Sequence, residues 1–207
     1  IKSSAASDVY KRQANRRAGV GAPDYVKYML SRPVKVQPGS EFVYSTADSI
    51  LAGRMVEKAV GKRLSEYLYE RFFEPLGQGF PIWENCPQGH PIGGGGMFMT
   101  LSNMLKIGQV YLMDGKWKGQ QLVDPAWIKE ATAKQIETPN PGNDIWVCGY
   151  GYQFWRNPYE DSYRADGAYG QLTMVLPKKG LIVAIQCPES GDLNKVKPVM
   201  HELILSL

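Results

Sequence analysis

Near residue 145 the hydrophobic period of this chain changes from that of helices to that of strands. Upstream, Leu51, Ala52, Met55, Val56, Ala59 and Val60 form one apolar stripe of a helix predicted over about 47–60 and closed by Gly61. A shorter helix is predicted from Pro23 to Ser31, stopped by Pro33. Leu64, Leu68 and Phe72 repeat at four-residue spacing in another, which ends before Pro75-Leu76-Gly77. Gly79 to Pro91 reads as irregular. Thr100 is a predicted N-cap for a helix carrying Met104, Leu105, Gly108, Tyr111 and Leu112. Asp124-Pro125 is the N-cap and first-turn proline of a helix with Trp127, Ile128 and Ala131.

Downstream the period is two. Cys148, Tyr150, Tyr152 and Phe154 alternate as in a strand, and further strands are predicted over Tyr163 to Ala168 and Gln171 to Leu176. Pro177-Lys178-Lys179-Gly180 turns the chain into Leu181 to Cys187, apolar on both faces and therefore expected at the centre of a sheet. Leu193, Val196, Met200, Leu203, Ile204 and Leu207 share one face of a terminal helix, whose start Pro198 limits. Helices, then strands, then a covering helix predict an α+β fold with an antiparallel sheet flanked by helices.

Composition narrows the function. The chain has 207 residues, 43% hydrophobic and 11% aromatic, which suits a globular domain rather than a disordered segment. A net charge of 24 − 20 = +4, scattered along the chain, argues against nucleic acid as a partner. No run of about 18 apolar residues can span a membrane. Three separated cysteines and two histidines offer no metal-ligand spacing, and no cofactor motif is present. Ile1 to Gln13 has no apolar period and resembles the translated adaptor sequence found at the ends of sequencing reads. It is set aside as a non-native or disordered arm, leaving residues 14–207 as the part to be folded.

The usual nucleophile motifs are missing. G-x-S-x-G, H-E-x-x-H and the phosphate-binding G-x-x-x-x-G-K-[ST] do not occur, and no serine is followed three residues later by lysine. Gly93 to Gly96 lacks the lysine a phosphate cradle needs and reads as a flexible loop between a strand and a helix.

An ordered set of pieces carries more information. Phe42-Val43-Tyr44-Ser45-Thr46 precedes the long helix with Glu57-Lys58-Ala59-Val60-Gly61, and Phe72-Phe73-Glu74-Pro75-Leu76-Gly77 follows. Gly95-Gly96-Met97-Phe98-Met99-Thr100 opens the next helix. Tyr150-Gly151-Tyr152-Gln153-Phe154-Trp155 and Asp166-Gly167-Ala168-Tyr169-Gly170-Gln171 precede the final hairpin. Over Ala14 to Leu207 this succession resembles the penicillin-recognising serine hydrolases: class C beta-lactamases, DD-peptidases, esterases and nylon-oligomer-type amide hydrolases.

The resemblance implies a beta-lactamase/transpeptidase-like fold, incomplete at the amino end, and a hydrolase acting through an acyl-enzyme on a small-molecule or peptide-like amide or ester. Tyr44-Ser45-Thr46 falls where the family has Y-x-N, which makes Tyr44 the proton shuttle, its phenolate favoured by a nearby lysine ammonium, and Thr46 a substrate-binding residue. Thr46 in place of asparagine points away from a true beta-lactamase. Ala165-Asp166-Gly167 occupies the slot of K-[ST]-G or H-x-G without its basic residue, and strand alternation turns the adjoining Arg164 to the other face. Asp166, Gly167 and Trp155 are then expected at the substrate, with the Ala168 amide as strand-side oxyanion donor. The S-x-x-K segment, with the nucleophilic serine and its lysine, is expected upstream of Ala14, and any export signal with it. Envelope, periplasm and cytoplasm therefore all stay open.

From the residues alone, Tyr44 also reads as an aromatic packed at a strand end and Gly167 as part of a β-bulge. Two other classes remain open as well. One is a non-catalytic relative or pseudoenzyme that binds cell-wall material, which the substitutions at 46 and 165 would suit. The other is an unrelated α+β interaction domain with Trp83, Trp117, Trp146 and Trp155 as scattered aromatics.

Overall fold

The computed structural model describes residues 24–34, 36–167, 170–187 and 193–207. The arm Ile1 to Gln13 and the oxyanion candidate Ala168 lie outside the described residues. The chain divides into two compact units with their boundary between Met99 and Thr100.

In the first unit, α1 (Tyr25–Leu30) starts where the Asp24 carboxylate accepts the Lys27 amide at 2.9 Å. Helix α2 spans Thr46–Val60, with Ser45 as N-cap and Gly61 closing it in the left-handed conformation at φ 68°. Its buried line is not the predicted stripe. Ala47, Ile50, Gly53 and Glu57 point inward, while Ala52, Met55, Val56 and Ala59 are exposed. Two contacts set that rotation. Gly53 lets Leu64 and the Gly93 backbone come close, and the Glu57 carboxylate accepts the Leu64 amide at 2.9 Å. Met29, Ala47, Ile50, Cys86 and Ile92 form the core, with Tyr25, Tyr28 and Leu51 against it.

Helix α3 (Leu64–Leu68) widens into a π-helical turn over Tyr69–Phe73 before Pro75. The stretch read as irregular contains β1 (Ile82–Trp83), which pairs antiparallel with β2 (Met97–Phe98). An Asn85–Pro91 bridge extends that hairpin.

In the second unit, Thr100 caps α4 (Leu101–Leu112) through the Asn103 amide. A small hairpin of β3 (Lys116–Trp117) and β4 (Gln120–Gln121) leads to α5 (Pro125–Thr132), capped by Asp124 with proline in its first turn. The main sheet is antiparallel, in the order β5 (Trp155–Arg156), β6 (Tyr163–Gly167), β7 (Gln171–Leu176), β8 (Leu181–Gln186). Helix α6 (Leu193–Ser206) follows.

Three expectations are corrected here. Residues 148–154 do not form a strand: Gly149 and Gln153 take φ of 103° and 70°, and Gly151 donates to the Phe154 carbonyl at 2.7 Å. The alternating aromatics instead leave a turn in three directions, Tyr150 to Trp155, Tyr152 onto Trp127, and Phe154 to Tyr111 and Tyr163.

Second, β8 ends the sheet among the described residues rather than standing at its centre. Its double apolar face has another cause. Leu181, Val183 and Ile185 pack against the cluster that joins Trp146, Leu172, Met174 and Leu176 to Met200 and Ile204, while Ile182 faces Gly108 of α4. Third, Pro198 lies inside α6, whose packing on the sheet outweighs one missing helix hydrogen bond. Leu203, predicted on the packed face of α6, is exposed.

Candidate active site

Tyr44 sits one residue before the N-cap of α2 with 42% of its surface exposed. The Ser45 hydroxyl accepts the Asp48 amide at 3.3 Å, fixing the first turn, and Thr46 is the first helical residue. The corner therefore presents a phenol beside the positive end of a helix of 15 residues, a setting that favours negative charge on an approaching group.

The glycine run is not a free loop. Trp83 Nε1 donates to the Ile92 and Gly95 carbonyls, both at 2.9 Å, and Glu84 bonds the Gly96 carbonyl and the Ile92 amide, again at 2.9 Å. This clasp lays Gly93 and Gly94 against the first turns of α2. A side chain at Gly93 would meet the Ser49 carbonyl at 2.5 Å, and one at Gly94 the Thr46 carbonyl at 2.7 Å. Sequence reasoning missed this contact; four consecutive glycines beside a tryptophan hairpin were the available signal.

A second group escaped the sequence reading. Glu57, buried on α2, holds Arg54 and the Leu64 amide, and His90 Nδ1 stands 3.1 Å from its carboxylate. Burial, then the Arg54 and Arg63 charges, hold the His90 imidazole below its ordinary range.

In the second unit, β6 carries the other candidates. It pairs with β7 without interruption from Tyr163–Val175 to Gly167–Gln171, so Gly167 closes a regular ladder and no bulge is present there. Alternation puts Tyr163, Ala165 and Gly167 on one face and Arg164 with Asp166 on the other. Tyr163 reaches the Tyr111 carbonyl of α4, and burial raises its hydroxyl far above the ordinary range. Arg164, 3% exposed, bonds Asp166 through Nε at 2.9 Å, and its Nη1 reaches the Trp146 and Arg156 carbonyls and Asn157 Oδ1.

Its guanidinium lies 5.8 Å from the Trp146 ring and 5.7 Å from that of Trp155. The Asp166 carboxylate is therefore held by Arg164 on the face opposite Ala165. Trp155 is engaged by that guanidinium and by the Tyr150 ring at 4.9 Å. Tyr44 and Thr46 belong to the first unit, Trp155, Asp166 and Gly167 to the second. Among the described residues no three His, Cys, Asp or Glu are grouped to hold a metal ion, and no helix is long and apolar enough to cross a membrane.

A family profile described as "Beta-lactamase" matches residues 3–195. The chain superposes on a provisionally named 6-aminohexanoate-dimer hydrolase from Bacillus anthracis with a TM-score of 0.75 and 18% identity, covering 90% of this chain and 48% of that one. Over 50 residues it is 42% identical to a provisionally named D-alanyl-D-alanine carboxypeptidase of Escherichia coli K12, a stretch covering 24% of this chain and 12% of the relative. Over 55 residues it is 38% identical to a lovastatin esterase of Penicillium rubens, covering 27% of this chain and 14% of the relative. The chain thus spans about half the length of the superposed structure, and the aligned stretches a small part of the two relatives.

Proposed function

Since this chain belongs to the beta-lactamase family, we propose that it forms part of a serine hydrolase working through an acyl-enzyme on a small amide or ester. The observation that carries the reading is the family match along nearly the whole chain, with Tyr44 standing immediately before the cap of α2. A serine hydroxyl attacks the substrate carbonyl and gives up its proton, and the leaving group departs with a proton. Tyr44 is the group assigned to carry that proton between them. The nucleophile and its lysine come from an S-x-x-K segment, a pattern these 207 residues do not contain.

The family resemblance assigns substrate binding to Thr46 and to Gly167, and the oxyanion role to the Ala168 amide. The same resemblance assigns Trp155 and Asp166 to the substrate, and both are tied to Arg164. Thr46 cannot present the amide group an asparagine would, and Ala165 supplies no cation for a substrate carboxylate. Both departures favour esters and uncharged amides over penicillins.

The test is to express the reading frame extended upstream and treat it with a serine-directed fluorophosphonate. Stoichiometric labelling and ester turnover are expected there, and neither in the 207-residue chain. In the extended protein Tyr44→Phe should lower kcat by about 100-fold or more with little change in KM or Tm, because only the hydroxyl is lost. Near-normal turnover in Tyr44→Phe would remove the proton-shuttle role. An upstream frame without S-x-x-K would instead make the protein a non-catalytic binding module.

A further inference from the structure

We propose that Gly94 is a positioning residue for the Tyr44–Ser45–Thr46 corner: its bare backbone, seated under Thr46, sets where the first turn of α2 stands. The inference rests on the reading that this corner takes part in catalysis. Its geometry stands without that reading.

A Cβ at position 94 would lie 2.7 Å from the Thr46 carbonyl oxygen, 3.3 Å from its Cα, and closer still to the Thr46 methyl. Carbon pairs settle at about 3.5–4.0 Å, so one methyl group requires a displacement of the order of an ångström. Gly94 is not among the glycines with positive φ, so alanine is allowed there by the backbone and the conflict is one of contact alone.

The loop has little room to retreat. Trp83 holds the Ile92 and Gly95 carbonyls, Gly95 donates to Ile92 at 3.2 Å, and Glu84 pins both Ile92 and Gly96. Gly93, one residue earlier, is pressed against the Ser49 carbonyl in the next turn of the same helix. A rigid hairpin meeting the helix at two successive turns passes the displacement to α2. The part of α2 that yields is its amino end, where Thr46 and the Ser45 cap stand. Misplacing a reacting group by about 1 Å costs on the order of 100-fold in rate.

The experiment compares Gly94→Ala, Gly79→Ala and Gly94→Ala/Thr46→Ser in the upstream-extended protein, with Thr46→Ser alone as reference. Gly79 serves as control because it has open space around its Cβ position. Two readouts are taken: kcat and KM on an ester, and hydrogen exchange of the Asp48 amide, which bonds the Ser45 cap.

Gly94→Ala should lower kcat by about 100-fold with KM changed far less, and should speed Asp48 exchange at least tenfold. Gly79→Ala should do neither. Removing the Thr46 methyl should restore part of both losses, which a general folding defect would not show. Should Gly94→Ala not fold, Trp83→Phe carries the test. That variant keeps a ring but releases the Ile92 and Gly95 carbonyls, and it should shift both readouts in the same direction by a smaller factor. Unchanged kcat and unchanged Asp48 exchange in whichever variant folds overturns the proposal. Faster Asp48 exchange together with normal turnover in Tyr44→Phe would support the positioning contact while removing the catalytic role of the corner.

Discussion

Replacing Arg164 by leucine should destabilise the second unit by about 3–5 kcal/mol, the range for breaking a buried ion pair from one side. The structure says why the loss is of this size. The guanidinium is 3% exposed and bonds a carboxylate, two backbone carbonyls and a side-chain amide. Leucine fills part of the space between Trp146 and Trp155 but leaves Asp166 charged and unpaired on a mostly buried face. Arg164→Leu/Asp166→Leu removes both charges, so the remaining cost is that of the orphaned carbonyls, about 1–3 kcal/mol.

The double variant should therefore be more stable than Arg164→Leu alone, by about 2 kcal/mol. Urea titration is the assay, followed by tryptophan fluorescence, since two indoles lie within 6 Å of the guanidinium carbon. With a urea slope of about 2 kcal/mol/M, the Arg164→Leu midpoint should fall by about 1.5–2.5 M. A loss below about 1 kcal/mol, or a double variant no better than the single one, would refute the argument that the pair acts as a unit.

Gly108→Ala should lower Tm, although alanine is the better helix former by about 1 kcal/mol. The new methyl would stand 2.7 Å from Ile182 Cγ2 and 3.2 Å from Thr173 Cγ2, and overpacking costs about 1–3 kcal/mol. A raised Tm on calorimetry would contradict this. The first unit should lose stability as pH falls from about 7 to 5. His90 is held below its ordinary range in the fold, so the unfolded chain binds the extra proton first and acid favours unfolding. His90→Gln should flatten that slope in urea titrations across the same window, and an unchanged slope would count against it.

Much of this fold is legible in short windows of sequence. The caps Thr100 and Asp124, the closing Gly61 and the limits of β7 at Gln171 and Leu176 stand where the sequence places them. Each depends on groups within a few residues: a hydroxyl or carboxylate over free amides, a glycine in the left-handed region, or a period of two between turns. The order of motifs that carried the family resemblance is of the same kind. Strand alternation alone likewise assigns Arg164 to the face away from Ala165.

What tertiary structure decided is which surfaces those elements share with distant partners. Most of the apolar stripe of α2 read from sequence, Ala52, Met55, Val56 and Ala59, faces outward, because Leu64, Gly93 and the buried Glu57 turn the helix another way. Residues 148–154 alternate like a strand, yet Gly151 runs so close to the Ala131 carbonyl that the chain turns there. Gly93 and Gly94 become a helix support only once Trp83 holds their loop closed. The motif places Asp166 on a strand, but only the fold shows its carboxylate paired with the Arg164 guanidinium. In each case a local pattern allows two or more arrangements. Contacts between residues far apart in the chain choose among them, through packing and pairing energies that no short window contains.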